Sequence, residues 1–237
     1  MIKAVFFDMY NTLICYSPPR EECQANALKK YGVILKPEQL TIPIITADEY
    51  FYGENAKLPF AKRSDKEKRN LWAEYETILL KEAGINPSKE LIDSMLVEMN
   101  NFKYEMALYD DVMPTLTSVK NMGLITGLVS NVDKDITSML ERLKLKPLLE
   151  VVVTSQEVGC TKPHPEIFRA AIRKAGIKPE DAVYIGDQYK IDVLGAINAG
   201  MSGILLDRSD YYKNDGIIEP RIRSLNQLLE ILPKIIL

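Results

Sequence analysis

The first residue whose type and position suggest chemistry is Asp8. It directly follows the apolar run IKAVFF, and Tyr10 and Thr12 come two and four residues later. A carboxylate at the end of a buried strand can act as a nucleophile, as an acid–base group or as a metal ligand. A single aspartate in this position is more often a turn or capping residue, so the interpretation depends on its companions.

Other polar residues follow later apolar runs in the same way. Ser130 and Asn131 follow LITGLV, Lys162 comes some residues after EVVVT, and Asp187 directly follows AVYIG. In an open parallel sheet, ligands bind at the carboxyl ends of the strands, so we expect these residues at one edge of the sheet. A nucleophile, a hydroxyl group, a cation and a second acid in this order are unlikely to meet there by chance.

The elements that must position these residues alternate between strands and helices. Short runs rich in β-branched and aromatic residues predict strands at 2–7, 124–129, 150–154, 182–186 and 203–206. Helical patterns lie near 133–144, 165–175, 189–199 and 224–232. This alternation predicts an α/β fold, a Rossmann-like parallel sheet with helices on both faces.

Residues 16–106 break the alternation and carry helical stripes instead. One stripe comprises Leu71, Tyr75, Ile78 and Leu79, and another comprises Leu91, Met95, Met99 and Phe102, with Ser88 as a candidate N-cap. We interpret both stripes as faces of helices that pack against each other. The sequence therefore predicts an α/β core domain at 1–15 and 107–237 and an all-helical cap domain at 16–106.

Composition excludes several classes of function. The chain has 30 Lys and Arg against 33 Asp and Glu, a net charge of −3, and so lacks the basic surface of a nucleic-acid-binding protein. The apolar run before Asp8 is too short for a secretory signal or a membrane span. Cys15, Cys23 and Cys160 have no metal-binding spacing, and we expect them to be reduced. We therefore expect a cytoplasmic protein with no nucleic-acid or membrane partner, and the sequence leaves the oligomeric state open.

The order and types of the polar residues resemble the haloacid dehalogenase superfamily of hydrolases and phosphotransferases. That family carries DxxxT, then a Ser or Thr, then a Lys, then GDxxxxD. This chain has DMYNT from Asp8 to Thr12, Ser130 in LVSNVD, Lys162 in TKPHPEIF, and GDQYKID ending at Asp192. The resemblance covers 1–15 and roughly 108–207, with 16–106 in the place of the family's helical cap. Each motif alone is a weak or moderate signal, but four in order on a matching strand pattern are specific.

The resemblance implies a role for each motif residue. Asp8 would be the nucleophile that forms a covalent aspartyl intermediate, and Thr12 would orient it by hydrogen bonding. Ser130 and the backbone N–H of Asn131 would bind oxygens of a small-molecule substrate. Lys162 would contact the substrate and stabilise an anionic transition state.

Three carboxylates at one strand edge also predict a bound cation. Asp8, Asp187 and Asp192 would repel one another unless a cation or protons intervened. Mg²⁺ takes oxygen ligands and often binds beside a substrate phosphate. The resemblance implies that Asp8, the backbone carbonyl of Tyr10 and Asp187 bind Mg²⁺ directly. Asp192 would lie next to these ligands without contacting the ion itself.

Tyr10 departs from the pattern of the family's phosphatases, which carry a second Asp there to protonate the leaving alcohol and then to activate water. A phenol with a reference pKa near 10 is a poor general base at neutral pH. The family's dehalogenases carry tyrosine there and use no metal, but they lack the first acid of the last motif, which this chain keeps as Asp187. We therefore expect a Mg²⁺-dependent phosphatase that acts on a small phosphorylated metabolite. We expect it to favour substrates whose leaving groups depart easily, because the missing acid is typically worth about 10²–10⁴-fold.

Two alternatives stay open. A metal-independent 2-haloacid dehalogenase would use the same Asp8 and would need an arginine for the substrate carboxylate, for which Arg20 and Arg63 are candidates. A non-catalytic protein on the same fold would bind its ligand without turnover. Outside the motifs, we expect His164 in a loop or at the surface and Trp72 in the packing of the cap.

Overall fold

The computed structural model describes residues 1–217 and 219–235, and its contacts divide the chain into two compact units. The first unit, called the α/β unit below, comprises Met1–Cys15 and Ala107–Leu237. The second, called the helical unit, comprises Tyr16–Met106.

The strands form one large sheet and one small sheet. In chain order they are β1 (Ala4–Phe7), β2 (Ile14–Ser17), β3 (Glu105–Leu108), β4 (Ile125–Ser130), β5 (Val151–Thr154), β6 (Ala182–Gly186), β7 (Ser202–Leu206) and β8 (Arg221–Ile222). The large sheet has the order β5-β4-β1-β6-β7-β8, and each of these neighbouring pairs is parallel. The small sheet pairs β2 with β3. The predicted α/β class with a parallel sheet is therefore confirmed.

Helices follow the strands of the large sheet and fill the helical unit. In chain order they are α1 (Arg20–Lys30), α2 (Thr41–Lys57), α3 (Asp65–Glu82), α4 (Lys89–Asn101), α5 (Val112–Asn121), α6 (Thr137–Arg142), α7 (Ser155–Val158), α8 (Pro165–Ala175), α9 (Leu194–Asn198) and α10 (Leu228–Ile235). A π-helical turn, Tyr189–Val193, directly precedes α9. None of the helices that the structure describes combines the length and the apolar character needed to cross a lipid bilayer.

The central strand β1 explains why the site forms where it does. All four of its residues, AVFF, are buried, which requires cover on both faces of the sheet. On one face, Phe6 packs in a cluster with Val129, Phe168 and Tyr184, which come from β4, α8 and β6. Because β1 lies between β4 and β6, the loops that follow these three strands meet at one edge.

The helical unit has a separate apolar core. Its buried members include Leu28, Leu40, Ile44, Leu79 and Met95, which come from α1 to α4 and the segment before α2. Both predicted stripes lie in α3 and α4, apart from Phe102, which follows the end of α4.

Side-chain caps fix where the two striped helices begin. Ser88 accepts a hydrogen bond from the backbone N–H of Leu91 at 3.1 Å, so its predicted role as N-cap of α4 is confirmed. Ser64 and Glu67 form a reciprocal capping box at the start of α3.

Several element predictions need correction. Strand β8 was missed because it has only two residues in a polar stretch. Strands β2 and β3 were missed because they are short and mostly not buried, so neither forms a continuous apolar run. The helix expected at 133–144 is shorter, Thr137–Arg142, because the Asp135 carboxylate accepts the N–H of Thr137 at 2.8 Å and Lys144 takes a positive φ of 58°. Helices α5 and α7 were not predicted.

Candidate active site

Asp8 lies at the carboxyl end of the central strand and is almost fully buried, with 7% of its surface exposed. Its backbone N–H donates to the carbonyl of Ile185 at 2.8 Å, which continues the parallel ladder between β1 and β6 past the last residue of β1. The strand pairing therefore holds the backbone of Asp8 in place.

Lys162 reaches from the loop before α8 into the same site and makes three side-chain contacts. Its Nζ donates to Asp8 Oδ1 at 2.5 Å, to Asp192 Oδ1 at 2.6 Å and to the Tyr184 hydroxyl at 2.9 Å. The Lys162 side chain is only 3% exposed. A buried ammonium needs such partners, because an uncompensated charge in the protein interior is costly.

The charges in this cluster shift one another's ionisation. Burial raises the pKa of Asp8 to about 6, with Lys162 lowering it and Asp192 raising it further. Burial acts to lower the pKa of Lys162, but the carboxylates of Asp192 and Asp8 outweigh burial and raise the pKa above its ordinary value. Lys162 is therefore a fixed positive charge at neutral pH, and the Asp8 carboxyl group is harder to ionise than an ordinary aspartate.

Asp187 completes an acidic cluster. One carboxylate oxygen from each of Asp8, Asp187 and Asp192 lies within 4.8 Å of the other two. Burial raises the pKa of Asp187 well above its usual range, and the nearby Asp8 and Asp192 raise it further. Its Oδ2 accepts weak hydrogen bonds from Asn11 Nδ2 at 3.3 Å and from Gln188 Nε2 at 3.2 Å. This oxygen-rich group could hold a metal ion.

Asp192 is already committed to protein partners. Besides the bond from Lys162 to Oδ1, its Oδ2 accepts the backbone N–H of Gln188 at 3.0 Å. It packs directly against the end of β6, where a Cβ on Gly186 would lie 2.4 Å from Asp192 Cγ. The GD pair therefore needs glycine at position 186 so that Asp192 can reach Lys162.

Asn131 holds the loop that carries Lys162. Its Oδ1 accepts the backbone N–H of Lys162 at 2.7 Å, and its Nδ2 donates to the carbonyl of Lys162 at 3.1 Å. Ser130, the last residue of β4, is buried at the same edge of the sheet. The sequence had assigned only the backbone of Asn131, so the role of its side chain was missed.

Tyr10 and Thr12 follow Asp8 in the loop between β1 and β2. Tyr10 is partly buried and forms a β-bridge with Ile14. Thr12 is fully buried, yet its Oγ1 has no hydrogen-bond partner among the described residues. The orienting hydrogen bond that the resemblance implied for Thr12 is not present. Instead, the backbone carbonyl of Thr12 accepts from Arg208 Nη2 at 3.0 Å, which steadies the loop.

Arg20 and Arg63, the candidate carboxylate-binding arginines, both have structural partners. Arg20 forms a two-point ion pair with Asp48, at 2.9 and 2.5 Å. Arg63 donates to the backbone carbonyls of Glu54 at 2.7 Å and of Leu58 at 3.1 Å.

Several residues that support the site carry no signal in the sequence. Tyr184 lies inside β6, and its hydroxyl donates to the carbonyl of Val129 at 3.0 Å while accepting from Lys162. Arg208 forms a two-point ion pair with Asp111 at 2.9 Å for both contacts. Tyr184 looks like any buried aromatic residue in a strand, and Arg208 like any polar residue after one.

Residues outside the motifs lie largely as expected. His164 is exposed, as predicted, and its Nδ1 accepts the N–H of Glu166 at the start of α8. Trp72 stacks on Phe51 with ring centres 4.7 Å apart, which agrees with the expected packing role. Trp72 is nevertheless 39% exposed, so it is less buried than a core residue.

Comparison with known proteins identifies the class to which this fold and site belong. A family model for the haloacid dehalogenase-like hydrolases matches residues 2–200, and the chain belongs to this family. The resemblance inferred from the motifs is confirmed, and with it the prediction of a hydrolase.

Among individual relatives, a protein of Methanopyrus kandleri named glyceraldehyde 3-phosphate phosphatase is 33% identical over 223 residues. The match covers 93% of this chain and 89% of the relative. A solved 2-haloacid dehalogenase from Pseudomonas syringae is 25% identical with a TM-score of 0.57, covering 99% of both chains. A solved HAD phosphatase from Thermococcus onnurineus is 24% identical with a TM-score of 0.56, covers 98% of both chains and supports the fold alone.

Proposed function

We propose that this protein is a Mg²⁺-dependent phosphatase that hydrolyses a small phosphorylated metabolite through a covalent aspartyl phosphate on Asp8. The observation that carries the proposal is the acidic cluster, in which Asp8, Asp187 and Asp192 lie within 4.8 Å of one another. Lys162 brings one positive charge to these three carboxyl groups, and the pKa values of Asp8 and Asp187 are raised, above all by burial. A divalent cation that prefers oxygen ligands would supply the missing positive charge.

The donor set fits Mg²⁺. Asp8, Asp187 and the backbone carbonyl of Tyr10 would hold the ion, whereas Asp192 is already bonded to Lys162 and Gln188. Bound there, Mg²⁺ would neutralise the charge of the carboxylates and of the substrate phosphate.

The reaction would proceed in two steps at Asp8. In the first, the Asp8 carboxylate attacks phosphorus, and a new O–P bond forms as the bond to the leaving oxygen breaks. In the second, water attacks the same phosphorus, releases inorganic phosphate and regenerates Asp8. Lys162 stays protonated throughout and offsets negative charge, while Ser130 and the backbone N–H of Asn131 would hold phosphoryl oxygens.

The relative from Methanopyrus kandleri, 33% identical and named a glyceraldehyde 3-phosphate phosphatase, supports a small phosphorylated metabolite as substrate. Within the proposal, residues 16–106 act as the cap that selects this substrate. A cytoplasmic location belongs to the same proposal.

Dehalogenation is the second candidate, and Tyr10 favours it together with the solved dehalogenase that is 25% identical. Two observations count against it. Asp187 keeps the first acid of the last motif, beside Asp8. Arg20 and Arg63 are held by Asp48 and by backbone carbonyls, so neither candidate is available for a substrate carboxylate.

A two-substrate assay separates the candidates. The purified protein is tested on p-nitrophenyl phosphate with Mg²⁺ or with EDTA, and on 2-chloropropionate without metal. We expect phosphate release that needs Mg²⁺ and is lost in Asp8→Asn, whereas the exposed control Asp215→Asn keeps full activity. Activity on the halide that is unaffected by EDTA, with none on the phosphate, would reverse the assignment. Ligand binding without turnover of either class would support the non-catalytic alternative.

Tyr10 gives the phosphatase proposal a second test. Without a carboxylic acid at this position, rates should fall steeply as the leaving group becomes a poorer one, from aryl to alkyl phosphates. Tyr10→Asp should restore alkyl phosphate turnover by up to about 10²–10⁴-fold and have little effect on aryl phosphates, whereas Tyr10→Phe should change neither. A large loss of alkyl phosphate turnover in Tyr10→Phe would show that the phenol itself is the acid.

A further inference from the structure

The helical unit contains a cavity of about 540 Å³ that is lined only by residues of that unit. Its volume lies in the range of about 300–1,000 Å³ that is typical of small-molecule sites. The lining comes from β2 and the residues just after it, from α1, α3 and α4, and from the segment that follows α4.

One wall of the cavity is aromatic and open to solvent. Trp72 is 39% exposed and Tyr104 is 52% exposed, so their rings remain available to a ligand. Both rings are held in place, because Trp72 stacks on Phe51 at 4.7 Å and Tyr104 packs edge-on against Tyr16 at 4.8 Å. Fixed, accessible aromatic rings suit an apolar body and can also attract a cation.

The arginines of the lining are already neutralised. Arg20 forms its two-point pair with Asp48, which also accepts from the Tyr75 hydroxyl at 3.0 Å. Arg69 pairs with Asp93 at 2.8 Å. These two cations therefore offer no net charge for an anionic ligand.

Glu76 is the lining residue whose charge is not balanced. It is 2% exposed, and no cation pairs with it among the described residues. Its described hydrogen bond comes from the neutral amide of Gln24, at 2.7 Å. A buried carboxylate with one amide donor and no counter-ion is costly, and it gains strongly from a cation that enters beside it.

We propose that this cavity binds an organic cation, with an ammonium group against the Glu76 carboxylate and an apolar or aromatic body against Trp72 and Tyr104. The positive charge of such a ligand complements the Glu76 carboxylate. An anionic ligand would be repelled by this carboxylate, and a neutral analogue would leave it without a counter-ion. This site shares no residue with the acidic cluster of Asp8, and all of its lining residues belong to the helical unit.

The ionisation of Glu76 gives the proposal an independent readout. Burial raises the pKa of Glu76 to about 7, with the hydrogen bond from Gln24 lowering it. An entering ammonium group favours the ionised carboxylate, so binding near pH 7 should release protons. The affinity should rise as the pH increases from 6 to 8.

The test uses 2-phenylethylammonium as the probe and isothermal titration calorimetry on the full-length chain, with Mg²⁺ present to occupy the acidic cluster. The neutral and anionic controls are 2-phenylethanol and 3-phenylpropionate. We expect the ammonium to bind at least about tenfold more tightly than either control, because a charge-assisted hydrogen bond is worth more than a neutral one. Heats in buffers of different ionisation enthalpy report the released protons.

Variants locate the site. Glu76→Gln should weaken ammonium binding by about 10–100-fold and abolish the proton release. Trp72→Ala should weaken binding several-fold, whereas Glu74→Gln, an exposed glutamate on the same helix, should bind as the parent protein does. Circular dichroism confirms that each variant is folded. The proposal is overturned if the ammonium shows no saturable binding, if a control probe binds equally well, or if Glu76→Gln binds with unchanged affinity.

Discussion

Replacing Glu76 with glutamine should stabilise the helical unit at neutral pH. Glu76 is buried in α3, and burial raises its pKa from the ordinary 4.5 to about 7. The folded state therefore holds this proton more tightly than the unfolded state does. The stability linked to Glu76 is fully present below pH 4.5 and is lost as the pH rises towards 7. Glutamine keeps the shape and removes the ionisation.

The magnitude follows from the difference between the two pKa values. Each pH unit of difference is worth about 1.4 kcal/mol, so about 2.5 units give about 3 kcal/mol. The free energy of unfolding of the parent protein should therefore fall by about 3 kcal/mol relative to Glu76→Gln between pH 4 and pH 8. The largest part of this change should lie between pH 5 and pH 7.

Tryptophan fluorescence is the direct assay for this prediction. Trp72 is the single tryptophan of the chain and lies in α3, one helical turn from Glu76, so its emission reports the helical unit. Urea unfolding curves at several pH values give the free energy for the parent protein, for Glu76→Gln and for the exposed control Glu74→Gln. Parallel pH profiles for the parent protein and Glu76→Gln would refute the reasoning, because they would show that Glu76 ionises equally in both states.

The other predictions concern the α/β unit, and each is measured as kcat on p-nitrophenyl phosphate with circular dichroism as the fold control. Gly186→Ala should lower kcat about 100-fold, because the added methyl group would lie 2.4 Å from Asp192 Cγ and displace that carboxylate; unchanged turnover would mean that the position of Asp192 is unimportant. Lys162→Met should lower kcat about 10²–10³-fold, and activity close to that of the parent protein would remove Lys162 from the proposed mechanism. Asn131→Ala should lower kcat about tenfold through the loss of two hydrogen bonds to the Lys162 backbone, and an equal effect from Asn226→Ala would show that the loss is not specific.

The parts of the fold that the sequence predicts well are those with strong local patterns. The run AVFF of β1 is short, continuously apolar and closed by Asp8, and the stripe of α3 repeats at helical spacing, so the type of each element was clear. Strand β8, in contrast, has two residues, and its pairing with β7 depends on the rest of the sheet. An element whose existence depends on a distant partner leaves little trace in its own residues.

The same distinction applies to the candidate site. Asp8, Lys162, Asp187 and Asp192 were found because they follow strands at spacings typical of a family, and the structure brings their side chains together. The hydroxyl of Tyr184 could not be found, because its contact with Lys162 depends on the direction of one side chain in a buried strand. Thr12 shows the reverse case, since the motif is present but the implied hydrogen bond is not.

The position of β1 in the sheet has a consequence for the order in which the chain folds during synthesis. Ala4 pairs with Ile125 on one side and with Ala182 on the other, and both partners leave the ribosome long after β1 does. Helices α1 to α4 are complete before either partner is made, and their contacts are close in sequence, so the helical unit can fold first. The apolar AVFF segment therefore remains without its two neighbouring strands during that time. Asp8 acquires its lysine and its neighbouring carboxylates only after most of the chain has been translated.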